Sequence, residues 1–285
     1  MNAGNKIRHA GVWNAMRSYT AMRHVIILVV CLTTFAAHAQ TDRRKLVWSD
    51  EFDKPGKPDE TKWGYDLGDG CPNVCGWGNN ELEYYTNDPK NVRVENGMLI
   101  IEAVKENKGS KNYTSTRIVS KSKGDWLYGR IEVRAKLPKG RGTWPAIWML
   151  PTEWKYGGWP ESGEIDIMEH VGWDPGVVHA NLHSGKYNHV KGTNIDGKVE
   201  VPDAMDEFHT YAIDWTKDKI DFYVDDKMYH SLSHAPGDDF MGWPFDQKFH
   251  LIMNIAVGGN WGGAKGVDET IWPQRMEVDY VRVYR

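Results

Sequence analysis

Short stretches in which apolar and polar residues alternate recur along the chain from residue 45 onward. The clearest lies at 128–137, where Ile131, Val133, Ala135 and Leu137 alternate with charged residues. Successive side chains of a β-strand point to opposite faces, so this pattern predicts a half-buried strand. Further predicted strands lie at 143–149, 177–183, 209–215, 219–224, 249–257 and 277–284.

Turn residues separate these stretches. The pair Asn96-Gly97 is typical of a tight hairpin turn and predicts a hairpin over 91–105. No segment carries a long helical period, and 203–208 is long enough only for a turn or two. Many short strands without long helices predict an all-β fold, most simply two packed antiparallel sheets.

One acidic stretch stands out because it places three carboxylates within six residues. Glu164, Asp166 and Glu169 are interleaved with isoleucine and methionine, which predicts a half-buried strand. Strict alternation places the first two carboxylates on one face and Glu169 on the other. A one-residue β-bulge near Ile167 or Met168 would return Glu169 to the shared face, and bulges are frequent beside active sites.

The spacing that such a bulge creates suits sugar chemistry. Glu164 and Glu169 would be about four strand steps apart, roughly 13 Å of backbone. Side chains that lean inward could bring the two carboxyls to about 5 Å, the separation of retaining glycoside hydrolysis. Asp166 between them can hydrogen-bond Glu164 and keep the protonation states of the pair apart. A solvated acidic face is the alternative, although like charges on one strand face oppose one another.

The segment 163–169 resembles the signature of glycoside hydrolase family 16 in its bulged form. Flanking segments are similar to those of bacterial laminarinase-like β-1,3-glucanases of that family: LVWSDEF at 46–52, GWGNNE at 76–81, WPAIW at 144–148, AVGGNW at 256–261 and DYVRVY at 279–284. The resemblance covers the chain from about residue 45 to its end. It implies a β-jelly-roll sandwich of two antiparallel sheets with a concave sugar-binding cleft.

The resemblance also implies an activity, a secreted endo-glycosidase that hydrolyses β-1,3-glucan with retention of configuration. Glu164 would be the nucleophile, Glu169 the acid and then the base, and Asp166 the residue that orients Glu164. No organic cofactor is implied. The alternatives are a mixed-linkage β-1,3-1,4-glucanase, an agar or carrageenan hydrolase of the same family, and a non-catalytic glucan-binding protein. The last would be expected to lack one or more of the three carboxylates, and all three are present.

Aromatic residues are abundant, with 14 Trp and 13 Tyr, and an indole plane with one N–H donor suits the apolar face of a pyranose. By resemblance, the residues that match the family's cleft are Asn80, Trp144, Trp148, Trp159 and Trp261. Trp48, Trp63 and Trp215 are expected in the core instead. The loop that holds Asn80 also holds Glu81, whose carboxylate could face sugar hydroxyls.

His183 belongs to the strand predicted beside the catalytic one. A neutral imidazole there could hydrogen-bond a sugar hydroxyl or Glu169. The histidines lack the close spacing of a catalytic metal motif, which excludes a metallohydrolase. The resemblance does imply a structural calcium ion away from the cleft, held by Glu51, the backbone of Gly97, and Asp279.

The first 39 residues predict an export signal. Basic residues precede an apolar run at 25–32, and Ala37-His38-Ala39 matches a small-residue cleavage pattern, with Met22 a possible true start. The expectation is a secreted or periplasmic monomer with one catalytic domain at 40–285 and no membrane contact in the mature form.

A net charge of -4 argues against a nucleic-acid partner. Within 40–285 only Cys71 and Cys75 remain; a local disulfide is favoured over two free thiols.

Overall fold

Two β-sheets carry nearly all the regular structure of residues 44–285, the part of the chain that the computed structural model describes. The predicted export signal at 1–39 lies outside these residues. Within 44–285 no helix is both long and apolar enough to cross a membrane. The only helical segments described in this range are two 3₁₀ turns, at Cys75–Gly78 and His189–Lys191.

The strands in chain order are β1 (Leu46–Asp50), β2 (Gly64–Tyr65), β3 (Glu83–Tyr85), β4 (Val92–Glu95), β5 (Met98–Lys108), β6 (Lys111–Ser115), β7 (Arg117–Val119), β8 (Asp125–Trp126), β9 (Gly129–Lys136), β10 (Thr143–Pro151), β11 (Glu164–His170), β12 (Val177–His183), β13 (Ile195–Glu200), β14 (His209–Trp215), β15 (Lys219–Val224), β16 (Lys227–Ser233), β17 (Phe249–Val257) and β18 (Gln274–Tyr284).

The first sheet has the strand order β16-β15-β14-β9-β18-β5-β6-β3, with β1 beside β18 and β4 beside β5. The second sheet has the order β13-β12-β11-β10-β17-β7-β2, with β8 beside β17. The named strand pairs are antiparallel except β3 and β6, which run parallel. These two sheets confirm the predicted all-β sandwich.

One apolar core receives side chains from both sheets. In β9, Ile131, Val133 and Ala135 are fully buried while the charged residues between them are only partly buried, as the alternation predicted. Trp63 and Trp215 are also in the core, and Trp48 packs against it. Each large apolar side chain buried in this way contributes about 1.5–3 kcal/mol to folding.

The predicted strand at 249–257 is the central strand β17, which is apolar except for His250 and Asn254. All nine of its residues are buried. It lies between β10 and β7 in the second sheet. A strand buried along its whole length needs few polar residues, which accounts for the largely apolar composition of β17.

The hairpin formed by β4 and β5 confirms the predicted turn. Asn96 and Gly97 have φ values of 55° and 75°, the left-handed conformation that this type of two-residue turn requires. The predicted disulfide is also present, because Cys71 and Cys75 are joined.

Two edge strands were not predicted. β13 and β16 are the outermost strands of the second and the first sheet. Their residues are mostly exposed or only partly buried. Strands that bury so little surface do not need a regular apolar face, so the alternation that reveals the other strands is weak here.

Candidate active site

A β-bulge in β11 brings the acidic residues together. Between Asp166 and Glu169 the register with β12 shifts, and Ile167 and Met168 together stand opposite the single residue Ala180. The register with β10 shifts at the same place. Two consecutive residues can therefore face the core while Glu169 returns to the face of Asp166. The predicted bulge is confirmed.

The opposite face of β11 holds the bulge in place. Ile165, Ile167 and Met168 are at most 1% exposed and belong to the core between the sheets. A one-residue shift of the strand register would move carboxylates into the apolar core and turn these apolar side chains away from it. Both changes are unfavourable, so the apolar face determines which face carries the acids.

His183 lies directly across from Glu164 in the pairing of β11 with β12. Its Nε2 atom is 3.4 Å from Asp166 Oδ2 and 3.7 Å from Glu164 Oε1. The side-chain nitrogen of Asn181 is 3.2 Å from the same Nε2 atom. The sequence predicted a sugar hydroxyl or Glu169 as the hydrogen-bond partner of His183. In the structure the imidazole lies beside the other two carboxylates instead.

Glu169 has aromatic neighbours. The indole N–H of Trp144 donates a hydrogen bond of 3.0 Å to Glu169 Oε1. Trp144 packs edge-to-face on Trp261 at 5.6 Å between ring centroids, and Trp261 packs on His179 at 5.0 Å. Two of the predicted cleft tryptophans therefore lie beside Glu169.

Burial dominates the protonation of the three acids. It raises the pKa of Glu164, Asp166 and Glu169 each to about 8. The Asp166 charge raises the pKa of both glutamates further, while His183 lowers that of Glu164 and the Trp144 hydrogen bond lowers that of Glu169. Buried carboxyls so close together do not all ionise at neutral pH, so the cluster retains protons for acid catalysis.

Two contacts restrain Trp148: a hydrogen bond from its indole nitrogen and a cation–π contact on its ring. Its indole N–H donates to Asn254 Oδ1 at 2.8 Å. The Arg117 guanidinium lies 4.7 Å from its ring and 4.5 Å from the ring of Trp77. An arginine stacked on two indoles restrains both rings, which gives Trp148 a defined orientation.

Trp159 lies near the other end of β11. The residue is 36% exposed, and its ring centroid lies 5.8 Å from that of His183 and 5.2 Å from that of His189. His189 was not selected from the sequence, because it belongs to a short 3₁₀ turn in a loop and no strand pattern marks it.

The loops around Asn80 and Trp261 are joined to each other. The Asn80 amide donates to Asn260 Oδ1 at 2.8 Å, and the Asn260 N–H donates to the Asn79 carbonyl at 2.7 Å. Asn80 itself is exposed. The two segments that resembled laminarinase-like loops therefore form one wall beside Trp144.

Glu81 does not present its carboxylate to solvent, contrary to the expectation from its loop. It is 7% exposed, and its Oε2 atom accepts a hydrogen bond from the Tyr85 hydroxyl. That hydroxyl accepts from Asn254, which in turn accepts from Trp148. Burial raises the pKa of Glu81 and, more strongly, that of its neighbour Glu83. These acids form an internal network under Trp148 that an isolated polar loop motif does not reveal.

The predicted calcium ligands are close in the topology, since β1 and β5 both pair with β18. However, both Glu51 oxygens accept hydrogen bonds from Arg282, and Asp279 accepts one from Arg134. A cation at these carboxylates would have to displace a guanidinium from each. Calcium binding through Glu51, Gly97 and Asp279 stays a prediction.

Comparison with known proteins agrees with this geometry. The family described as glycosyl hydrolases family 16 matches residues 79–282. A β-glucanase of Rhodothermus marinus is 54% identical over 248 residues, which cover 85% of this chain and 85% of that protein.

Solved structures agree as well. The X-ray structure of the laminarinase from Rhodothermus marinus superposes with a TM-score of 0.82 at 54% identity, covering 85% of this chain and 97% of that one. A variant of SCLam, a non-specific endo-β-1,3(4)-glucanase of family GH16 co-crystallised with a gluco-oligosaccharide, gives 0.81 at 46% identity, covering 86% and 95%.

The bulge leads to a prediction for variants in which β11 is one residue shorter or one residue longer, measured as turnover of a β-glucan. Deletion of Met168 leaves one core-facing residue between Asp166 and Glu169, so a regular strand still places both on one face, about four steps from Glu164 to Glu169. We expect a folded protein that retains activity, reduced by up to about 100-fold, the cost of a misplacement near 1 Å.

The matched variant inserts one alanine after Met168. It separates the two glutamates by about six steps, roughly 20 Å, and removes the general acid-base contribution of about 10²–10⁴-fold on top of any misplacement. Activity should be measured below the unfolding temperature of each variant, because losing the buried Met168 costs about 2–5 kcal/mol. An insertion variant more active than the deletion variant would contradict the geometry.

Proposed function

The chain belongs to family 16 of the glycosyl hydrolases and is a glycoside hydrolase, and we propose that it cleaves β-1,3-glucan of the laminarin type within the chain, with retention of configuration. The observation that carries this proposal is the gathering of Glu164, Asp166 and Glu169 on one face of β11 across the bulge. A glutamate at each end of the triad matches the two-carboxylate chemistry of retaining glycosidases.

In this mechanism Glu164 attacks the anomeric carbon and forms a covalent glycosyl-enzyme, while Glu169 protonates the departing glycosidic oxygen. Glu169, now ionised, then removes a proton from water, which attacks the anomeric carbon and releases Glu164. The raised pKa of Glu169, about 8, keeps it protonated at neutral pH and ready for the first step.

Asp166 and His183 assist the nucleophile. Protonated Asp166 carries no charge that would oppose ionisation of Glu164. Because burial raises the pKa of Glu164 to about 8 as well, the attack uses the form of the cluster in which Glu164 has given up its proton while Glu169 keeps its own. His183, 3.7 Å from Glu164 Oε1, favours its charged form and holds its orientation. Both therefore act as positioning residues for Glu164.

The cleft residues on either side of the triad suit a glucan chain. Trp144 and Trp261 lie beside Glu169, Trp159 lies beside His183, and Trp148 lies between these groups. Indole planes stack on pyranose rings, and the exposed amide of Asn80 supplies a polar group for hydroxyls.

A second candidate is hydrolysis of mixed-linkage β-1,3-1,4-glucan. It is favoured by the relative SCLam, which is described as a non-specific endo-β-1,3(4)-glucanase. The triad chemistry is the same for both substrates, so the difference depends on the loops that line the cleft.

We further propose that the protein acts outside the cytoplasm, secreted or periplasmic. The support is the export pattern of its first 39 residues and the local disulfide between Cys71 and Cys75, which suits an oxidising compartment.

Product analysis on laminarin, lichenan and agarose in parallel tests the proposed function. We expect short β-1,3-linked oligosaccharides from laminarin, and no products when Glu164→Ser is used. Glu153→Ser, which changes an exposed glutamate in the preceding loop, is the matched control and should retain full activity. Activity confined to lichenan or agarose would contradict the proposed substrate, β-1,3-glucan. A folded protein that binds glucan but cleaves none of the three polysaccharides would contradict the proposal that the protein is an enzyme.

The Trp144 hydrogen bond predicts a shift in pH dependence. The indole N–H stabilises ionised Glu169 and so lowers its pKa; Trp144→Phe removes that donor, and the pKa of Glu169 rises. The alkaline limb of kcat/KM should move to higher pH by about one to two units, since a hydrogen bond to a charged group contributes about 1.5–3 kcal/mol.

Trp148→Phe is the control for this measurement. The indole N–H of Trp148 donates to Asn254 and not to a catalytic carboxylate, so its loss should leave the position of the alkaline limb unchanged. Equal shifts in both variants, or a downward shift in Trp144→Phe, would contradict the assignment of Glu169 as the acid.

A further inference from the structure

Three atoms that can bind a metal ion converge at one end of the catalytic cluster. Within residues 44–285, Glu164, Asp166 and His183 form the one group of three or more such residues, with ligand atoms within 4.8 Å of one another. The side chain of Asp166 is 4% exposed, and its Oδ2 atom, which faces His183 Nε2, has no hydrogen-bond partner. A buried acceptor without a partner marks a place where a proton or a cation is stabilised.

The distances suit a small tetrahedral ion. Zinc binds imidazole nitrogen and carboxylate oxygen at about 2.0–2.2 Å, which places ligand atoms of a tetrahedron about 3.3–3.6 Å apart. His183 Nε2 is 3.4 Å from Asp166 Oδ2 and 3.7 Å from Glu164 Oε1. All three ligand atoms lie within 4.8 Å of one another, so the side chains must draw together on the ion to form a three-ligand zinc site with one open position for water.

From this geometry we propose that Zn²⁺ binds to Glu164, Asp166 and His183 and inhibits the enzyme. Coordination would occupy the carboxylate that attacks the sugar, so the ion competes with substrate. The inhibitory effect rests on the proposed function; the binding site does not. This role differs from that of a catalytic metal, because the reaction proposed above uses carboxylates alone.

The ligand set discriminates among cations. Calcium takes six to eight oxygen ligands, and magnesium requires an octahedron of oxygens. Two carboxylates and one imidazole provide neither, whereas this mixed set suits zinc. The side chain of Glu164 is 16% exposed against 6% for His183, so the ion enters from the Glu164 side. The amide nitrogen of Asn181, 3.2 Å from His183 Nε2, must turn away when the ion binds.

The direct test is calorimetric titration of ZnCl₂ into purified, chelator-treated protein. We expect one ion per chain, with affinity at least about tenfold weaker in Asp166→Asn and in His183→Gln, since even the loss of a group outside the ligand shell costs about 10–100-fold. The control is His209→Gln, which changes a histidine next to two surface carboxylates, Asp203 and Asp225, and should bind zinc as the wild type does. Thermal unfolding verifies that each variant is folded.

The second test is steady-state inhibition of laminarin hydrolysis. Zinc should raise the apparent KM without lowering kcat, and a chelator should restore activity, while Mg²⁺ and Ca²⁺ at equal concentration should not inhibit. Absence of one-to-one binding, equal affinity in wild type and Asp166→Asn, or loss of binding in His209→Gln would overturn the site. Calorimetry does not depend on turnover: a protein that binds zinc as expected but cleaves no glucan would refute the proposed function alone.

Discussion

The bulge in β11 is the constraint on which the active site depends. A strand of this sandwich must present one apolar face to the core, and regular alternation would then send Glu169 inward. Because Ile167 and Met168 both face the core opposite the single residue Ala180, Glu169 returns to the face that carries Asp166. The buried side chains of the bulge therefore contribute to stability and to the position of the acid at the same time.

The second consequence of this arrangement is electrostatic. Three carboxyl groups share a buried site, and burial raises the pKa of each to about 8. Their surroundings differ: Glu164 and Asp166 lie next to an imidazole, while Glu169 accepts a hydrogen bond from an indole. One strand thus supplies chemically similar groups, and the neighbouring strands give them different protonation roles, which a two-step glycosidase mechanism requires.

Much of the fold and the site could be predicted from the sequence, because the responsible signals are local. The strands β12, β14, β15 and β17 have the predicted bounds, since buried faces impose a regular pattern. The bulge could be predicted from three acids whose spacing conflicts with alternation.

The rest of the site depends on contacts between distant segments. Strand register and loop packing determine the pairing of His183 with Glu164 and Asp166. They also determine the buried position of Glu81 and the place of His189. The edge strands β13 and β16 bury too little surface to leave a pattern.

The measurement that tests the central claim most directly is the anomeric configuration of the first products. Proton NMR can follow a β-1,3-gluco-oligosaccharide during cleavage, before the new reducing ends equilibrate. Glu164 attacks one face of the anomeric carbon, and water then attacks the opposite face, the one the leaving group occupied. These two inversions predict that the β-anomer appears first. An α-anomer as the first product would mean that water attacks directly, and would contradict the role of Glu164 as nucleophile.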